Sequence, residues 1–409
     1  MKRNVVGIRT AAILGALVAG AAIFTSCATA GKRVTVLTYN THLFGGSNAE
    51  SAQKLKNLIQ KKDEEVVLDD DERFNKIVEE LKRGEADIVA LQELWACNRP
   101  KDLADRLVKV YPHSHYSNQS CQYASWNKLA GETLEEFARR YPAIAGLYAF
   151  PMAGTITGAI LTATKYKEFE PMAIEIIKQK YKITDGLLLL SKYPIDNTET
   201  EFHEFPAGRT GDKKDQLARK GVITATIALP NGLRLRVGVT HATTDVGGWQ
   251  SMPDIADLAE YSTEGADKIG PAIMMGDFNA HYYTDNAAEY NRMSDIFARV
   301  GALDAYRQVK KRNDMTVNWA ANPLLRYFFP EKQEPACIDY VFYRPSGPGL
   351  TIRPESAKVI TDWKYPHEIK GNPVERWDLS DHYPVMVTFS LWNGPNPITW
   401  IDPEPPRAR

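Results

Sequence analysis

The 409-residue sequence has no excess of charge of either sign: 50 Lys and Arg stand against 51 Asp and Glu, a formal net charge of −1. No bulk positive field is therefore available to hold nucleic acid by counterion release, although a local basic patch is compatible with this balance. Cysteine is scarce, with four residues in the whole chain, so a disulfide framework is excluded. Several catalytic signatures are also missing. There is no HExxH, CxxC, Walker loop or GxSxG, which removes the usual support for zinc proteolysis, nucleotide-loop chemistry and the serine hydrolase elbow. What remains is an ordinary globular composition, 44% hydrophobic and 25% charged, which excludes a disordered or collagen-like chain. Length alone permits one large two-sheet unit or two to three domains of ~150 residues.

The N-terminus reads as an address. Lys2, Arg3 and Arg9 precede an uncharged apolar run from Ala11 to Phe24, the n-region and h-region of a secretory signal, too short for a comfortable membrane span. Phe24-Thr25-Ser26-Cys27 resembles a bacterial lipobox, in which Cys27 would be acylated and become the mature N-terminus. Ala28-Thr29-Ala30 offers a competing cleavage site of the A-x-A type. The protein is thus expected to be exported, with residues 1–30 as signal, and either anchored to the cell envelope by lipid or freely secreted. Of the later cysteines, Cys97 and Cys121 would close the shorter loop in an oxidising compartment, leaving Cys337 over; alternatively all three are small buried hydrophobes.

Beyond the signal, strand-like and helix-like runs interleave. Val34–Tyr39, Ala86–Leu91, Gly186–Ser191, Gly221–Leu229, Leu233–Val239, Ile273–Met275 and Ile338–Tyr343 are apolar, β-branched or aromatic as strands should be. Phe74, Ile77, Val78 and Leu81 mark an amphipathic helix that stops at Gly84, and Asp254–Lys268 and Met293–Val300 are further helical stretches. This alternation implies α/β or α+β layers around large sheets. From Asn393 onward five prolines leave a tail, 393–409, too Pro-rich to pack as an element. Tyr141–Thr164 holds no charged residue at all; Pro151 makes it a poor spanning helix, so it reads as a buried hairpin or lid, or as a surface that dips into lipid.

Polar groups with chemical potential gather at the ends of the strand-like runs: Asn40, Gln92-Glu93, His241, Asp277 with Asn279, Asp339, and Asp381-His382. Carboxylates and amides without a thiolate cluster suit a hard, oxygen-ligated cation such as Mg²⁺ rather than zinc. Singly, each has a dull explanation as a cap, turn former or structural histidine. The blocks Leu37-Thr38-Tyr39-Asn40, Leu91-Gln92-Glu93, Gly276-Asp277-Phe278-Asn279 and Ser380-Asp381-His382-Tyr383-Pro384-Val385, in this order, resemble the endonuclease/exonuclease/phosphatase superfamily. Ser191–Ile195, Ala218–Val222, Gly238–Ala242, Asn318-Trp319 through Tyr327–Pro330, and Thr361–Trp363 are similar to the corresponding blocks of the neutral, bacterial-type sphingomyelinases. The resemblance covers roughly Val34 to Phe389 and departs in the uncharged insert around 141–164 and after Asp245.

The resemblance implies an α/β fold of two sheets packed as a sandwich with helices outside, forming one catalytic domain over 31–392. It implies Glu93 as the principal Mg²⁺ ligand (with Mn²⁺ or Co²⁺ as alternative ions), Asn40 beside it and Asp381 close by. His382 would be the general base, its ring held by Asp339; Asp277 and Asn279 would orient water and phosphate, and His241 would serve the leaving oxygen. This suits phosphodiester hydrolysis, in which charge builds on the non-bridging and leaving oxygens. His42, His113, His115, His203, His281 and His367 have no such context and read as structural or surface residues. In the basic stretch Arg209–Lys220, Lys220 is the best candidate to meet a phosphate headgroup. Trp319, Tyr327, Phe328, Phe329, Trp363 and Trp377 could cradle a quaternary ammonium, rest at a membrane interface, or belong to the core. The expectation is a phosphodiesterase acting on sphingomyelin, or a related phospholipid, at a membrane surface. The rivals are a nuclease, an inositol-phosphate or phosphoinositide phosphatase on the same scaffold, and a catalytically silent lipid-surface binding module.

Overall fold

The computed structural model describes residues 32–43, 70–94, 99–117, 185–206, 219–244, 249–329, 331–367, 375–393 and 396–397. Its architecture follows from strands that are apolar on both faces. In β1 (Arg33–Leu43), Val34 and Val36 point one way and Leu37 and Tyr39 end on the other side; all four are buried. Such a strand needs a sheet on one face and helices on the other.

The larger sheet has eight strands. β11 (Ser346–Gly347), β12 (Leu350–Val359), β15 (Val385–Asn393), β1, β2 (Ile88–Leu94), β4 (Leu188–Ser191) and β3 (His113–Tyr116) follow in that order, with β16 (Asn396–Pro397) beside β15. The smaller sheet runs β5 (Ile195–Glu204), β6 (Gly221–Ala228), β7 (Arg234–His241), β8 (Ala272–Tyr282), β10 (Cys337–Arg344) and β9 (Leu303–Asp304), and β13 (Lys364–His367) with β14 (Glu375–Asp378) makes a separate ribbon. Between the sheets lies a hydrophobic core that includes Val36, Ala90, Ile223, Val239, Met275 and Val387. Outside the larger sheet, α1 (Asp70–Lys82) and α2 (Arg99–Leu107) bury Phe74, Ile77 and Leu103 against Leu37 and Leu91. Outside the smaller sheet, α3 (Met252–Thr263) and α5 (Ala288–Arg299) bury Leu258 and Phe297 against Met274 and Phe342. The short helices α4 (Ala266–Ile269), α6 (Ala305–Lys310) and α7 (Pro323–Phe328) serve as connections. The α/β sandwich with outer helices is the expected fold.

Several expected boundaries shift for local reasons. The single helix expected over Asp254–Lys268 is two, because Gly265 takes a positive φ of 67° between α3 and α4. Strand β8 runs well past Met275, carrying the polar residues that interrupted its apolar pattern. The tail is not wholly without an element: Pro397 pairs with Trp392, a position at a sheet edge where proline is tolerated. Polar β5 and β12 were not anticipated; β5 is an edge strand, and β12 takes Pro354 at a register shift. Among the described residues Cys337 is a free, buried thiol, held near the Asp339 carbonyl. The signal with Cys27, the 141–164 segment, the Cys97–Cys121 bridge and residues 209–218 of the basic stretch lie outside the described residues. No described helix is long and apolar enough to cross a membrane.

Candidate active site

Two parallel strand pairs deliver the polar residues to one edge of the sandwich. β1 and β2 run side by side with Asn40 level with Gln92, so that Glu93 emerges one residue further on. β7 and β8 run parallel with His241 level with Asp277, and antiparallel β10 sets Asp339 level with Asp277 on its other side. Gly276 makes this registry possible: its φ is 154°, and a Cβ there would collide with the Thr240 carbonyl oxygen. Asp381 and His382 arrive on the loop before β15, where Ser380 Oγ donates to the Asn40 carbonyl at 2.8 Å and accepts from His382 N at 3.2 Å.

The side chains converge on Asp277. Asn40 Nδ2 donates to Asp277 Oδ2 (2.9 Å) and to Glu93 Oε1 (3.0 Å), with its own oxygen accepting from His42 N (3.1 Å). Nε2 of His241 lies 3.8 Å and Nε2 of His382 3.9 Å from that same Asp277 oxygen. His382 Nδ1 meets Asp339 Oδ2 at 2.9 Å, and Asp381 Oδ1 lies 4.0 Å from His382 Nε2. Asn279 donates from its side chain to the Ala242 carbonyl and from its backbone to Asp277 Oδ1, both at 2.9 Å. Lys220 donates to the Ala242 carbonyl at 2.9 Å, with Nζ 3.2 Å from His241 Nε2. The structure thus brings together every described residue expected in the site.

Burial and negative charge set the protonation states. Burial and the neighbouring Asp339 push Asp277 up to about 7, against the pull of His382 and the hydrogen bond from Asn40. Burial alone would lower His382, but Asp339, Asp381 and Asp277 outweigh it and raise the imidazole well above its ordinary value. Burial works against the charge of Glu93 too, yet the hydrogen bond and charge of His42, with His241 and Asn40, hold its carboxyl well below the usual range.

Three residues of this site escaped the sequence reading. His42, set aside there as structural, lies with Nδ1 3.3 Å from Glu93 Oε2 and 3.4 Å from Asp381 Oδ2. Its signal was its place two residues after Asn40 on the same strand. Asp185 is fully buried with Oδ2 3.7 Å from His241 Nδ1, so His241, like His382, has a carboxylate behind it. Its carbonyl accepts from Glu93 N at 3.0 Å, and Gly186, at a φ of 69°, leaves room for Leu94 to pack there. Arg73 in α1 is fully buried and donates to the carbonyls of Leu379 (2.9 Å) and His42 (2.8 Å), tying the His382 loop to the end of β1. No local pattern marks Asp185 or Arg73, since each acts on residues distant in sequence.

The donor set fits a hard divalent cation. Ligand atoms of Glu93, His241 and Asp277, and those of Asp277, Asp339 and His382, form two groups in which all atoms lie within 4.8 Å of one another. Three carboxylates and two imidazoles make up these groups, with oxygen and nitrogen donors only, and beside burial the charge of Asp339 raises Asp277, a charge that a cation would offset.

A two-sheet α/β sandwich with paired histidines and carboxylates at one edge defines a class, the metal-dependent phosphoric ester hydrolases. The chain belongs to the endonuclease/exonuclease/phosphatase family, whose model matches residues 37–382. Among solved structures it is similar to a magnesium-bound double mutant of beta toxin from Staphylococcus aureus, with a TM-score of 0.53 at 15% identity over 87% of this chain and 99% of that one. It is also similar to D. rerio TDP2 complexed with a single-strand DNA product, with a TM-score of 0.51 at 14% identity over 88% of this chain and 99% of that one. These likenesses establish the fold. A comparison with curated proteins finds no match.

Proposed function

We propose that this protein is an exported, Mg²⁺-dependent phosphodiesterase of the sphingomyelinase C kind, hydrolysing sphingomyelin, or a related phospholipid, to ceramide and phosphocholine. The observation that carries the reading is the pair of imidazoles facing one carboxylate oxygen, His241 and His382, each with an aspartate at its far nitrogen. A phosphoryl group between them has a proton acceptor on one side and a donor on the other. His382 Nε2 takes the proton of the attacking water, the water oxygen bonds to phosphorus, the bond from phosphorus to the ceramide oxygen breaks, and His241 supplies that oxygen with its proton. Asp339 would fix the His382 tautomer, and Lys220 and Asn279, beside His241, would donate to the non-bridging oxygens. Glu93 and Asp277, with Asn40 and Asp381 nearby, would hold the cation, which supplies counter-charge for the phosphoryl oxygens.

The choice of lipid is supported by the sphingomyelinase-like sequence blocks and by the loop beside His382. That loop is bound there by Asn322, which donates to the Ser380 carbonyl at 2.9 Å, and it presents Phe329 46% exposed, with Trp319 Nε1 donating to the Phe329 carbonyl. The test gives the purified protein sphingomyelin micelles, plasmid DNA and inositol phosphates, with Mg²⁺, with EDTA, and after adding back Mg²⁺, Mn²⁺ or Co²⁺. Phosphocholine release that EDTA stops and Mg²⁺ restores is expected; nicked DNA or released inorganic phosphate without phosphocholine overturns the reading. On the same reading residues 1–30 direct export, Cys27 carries the lipid anchor, 31–392 form the catalytic unit and 393–409 a tail. Incorporation of labelled palmitate that Cys27→Ser leaves unchanged would refute the anchor.

A further inference from the structure

Outside the active site, the cleft between α3 and α5 holds a cavity of about 570 Å³ with an unusual lining. Met252 and Ile296 give it an apolar floor, while Trp249, Arg292 and Arg299 stand at its mouth. Trp249 is 45% exposed, one of few large apolar side chains so open to solvent among the described residues, and the Arg292 guanidinium lies over its ring, 5.0 Å from the centroid. Arg292 and Arg299 are exposed and make no ion pair with a described residue, and Asp295 is the one acid lining the cavity, so the mouth carries net positive charge.

The cavity is joined to the catalytic edge. Two residues beyond His241, Thr243 N donates to Asp254 Oδ2 at 2.9 Å and so anchors the first turn of α3 to the end of β7. On the other side, Glu289 in the first turn of α5 accepts from His281 N at 2.8 Å, just past Asn279 on β8. Trp249, three residues before α3, and Arg292, in the second turn of α5, therefore lie at the helix ends tied to the catalytic edge, and Arg299 lies about 10 Å further along the α5 axis.

We propose that the Trp249–Arg292–Arg299 face docks the protein onto the phosphate headgroups of an anionic phospholipid bilayer beside the mouth of the active site. The proposal rests on the reading of the protein as an enzyme of lipid surfaces. An indole with one cationic group stacked on it and a second two helical turns away matches a headgroup layer, where aromatic rings settle at the interface and each arginine gains from anionic lipid. A protein partner fits less well: the exposed apolar element is a single indole, far short of the ~800 Å² that each side buries in a stable complex. Two arginines with an intervening aspartate also make no track for a nucleic acid backbone.

The test uses the chain with Cys27→Ser, so that no acyl anchor contributes, sedimented with vesicles of phosphatidylcholine alone or mixed with phosphatidylserine. Binding to the mixed vesicles should exceed binding to the neutral ones and fall as NaCl is added. Arg292→Gln with Arg299→Gln should weaken binding to the mixed vesicles about 25-fold, roughly fivefold per charge, and Trp249→Ala should weaken binding to both vesicle types. Hydrolysis of soluble bis(4-nitrophenyl) phosphate should be unchanged in both variants. Binding by the double variant within twofold of the parent overturns the proposal, as does displacement of the parent from vesicles by millimolar inorganic phosphate, which would make the cavity a small-anion site. A parent that binds anionic vesicles but hydrolyses neither the soluble ester nor sphingomyelin overturns the enzymatic reading and leaves the docking surface standing.

Discussion

Replacing Asp339 by Asn separates the positioning of His382 from its presence. The Asp339 carboxylate accepts from His382 Nδ1 at 2.9 Å, with the two residues only 2% and 9% exposed, and its backbone is pinned where Ile338 N and Asp339 N both point at Thr316 Oγ1. An amide in that place is isosteric but uncharged. If its nitrogen turns toward the ring, Nδ1 must become the acceptor and the proton moves to Nε2, leaving nothing to accept a proton from water. The cost should approach the ~10⁴-fold loss in kcat seen when the same change is made behind a catalytic histidine in a serine protease, and should be at least ~10²-fold from lost general-base catalysis. A second consequence has a definite sign. Asp339 is the leading charge that raises His382, and the deprotonated imidazole is the active form, so the variant's acid limb in kcat/KM must move to lower pH. Asp277, relieved of the same charge, must also fall below about 7, although its burial, the larger cause, still holds it up. The assay is the pH profile of soluble diester hydrolysis at saturating Mg²⁺, with a urea titration to establish that the fold is intact. A variant within threefold of the parent, or one that is slower with its acid limb unmoved, would refute the assignment of Asp339 behind the base.

Arg73→Met should destabilise the chain by about 3–5 kcal/mol, because buried carbonyls of His42 and Leu379 lose their donor at ~1–3 kcal/mol each and a packed guanidinium is removed; urea unfolding measures it. Gly276→Ala should cost activity beyond its effect on stability, since the new methyl meets the Thr240 carbonyl and pushes His241 out of register with Asp277; an intact melting transition with full activity would contradict this. Thermal stabilisation by Mg²⁺ should grow as pH rises from about 6 to 8. A carboxyl raised when folded disfavours the metal-free fold as pH climbs from 3.8 toward about 7, and a cation removes that penalty while releasing the proton; melting temperatures with and without Mg²⁺ across this range decide it. Glu93→Gln should abolish the Mg²⁺-dependent part of that shift.

The sequence was legible wherever burial on both faces dictated residue type. The apolar runs of β1, β2, β7 and β10 read directly as strands, and each carries a polar residue near one end, the last residues of β1, β2 and β7 and the start of β10, that the fold delivers to one place. Strand β5, with its Asp, Glu and Thr, lacked that signature because an edge strand buries little. Alternation also fails at the site itself. His42, Glu93 and Asn279 all have positive φ, at 46°, 59° and 48°, and stand at or near the ends of β1, β2 and β8. Outside the site, the described non-glycine residues with positive φ are Asn231 in a turn and Lys311 at a helix end, places where that conformation is ordinary. A strand held in register by its neighbours can turn its last residue into the left-handed region, at ~1–3 kcal/mol each, only because the core behind it over-determines the backbone. That turn takes Glu93 and His42 out of the two-residue repeat that identifies a strand. The pattern that made the core readable therefore stops where the chemistry begins: the place of His42 two residues after Asn40 hinted at the site, and its partners Glu93 and Asp381 appear once β1 and β2 are set beside the loop that carries Asp381.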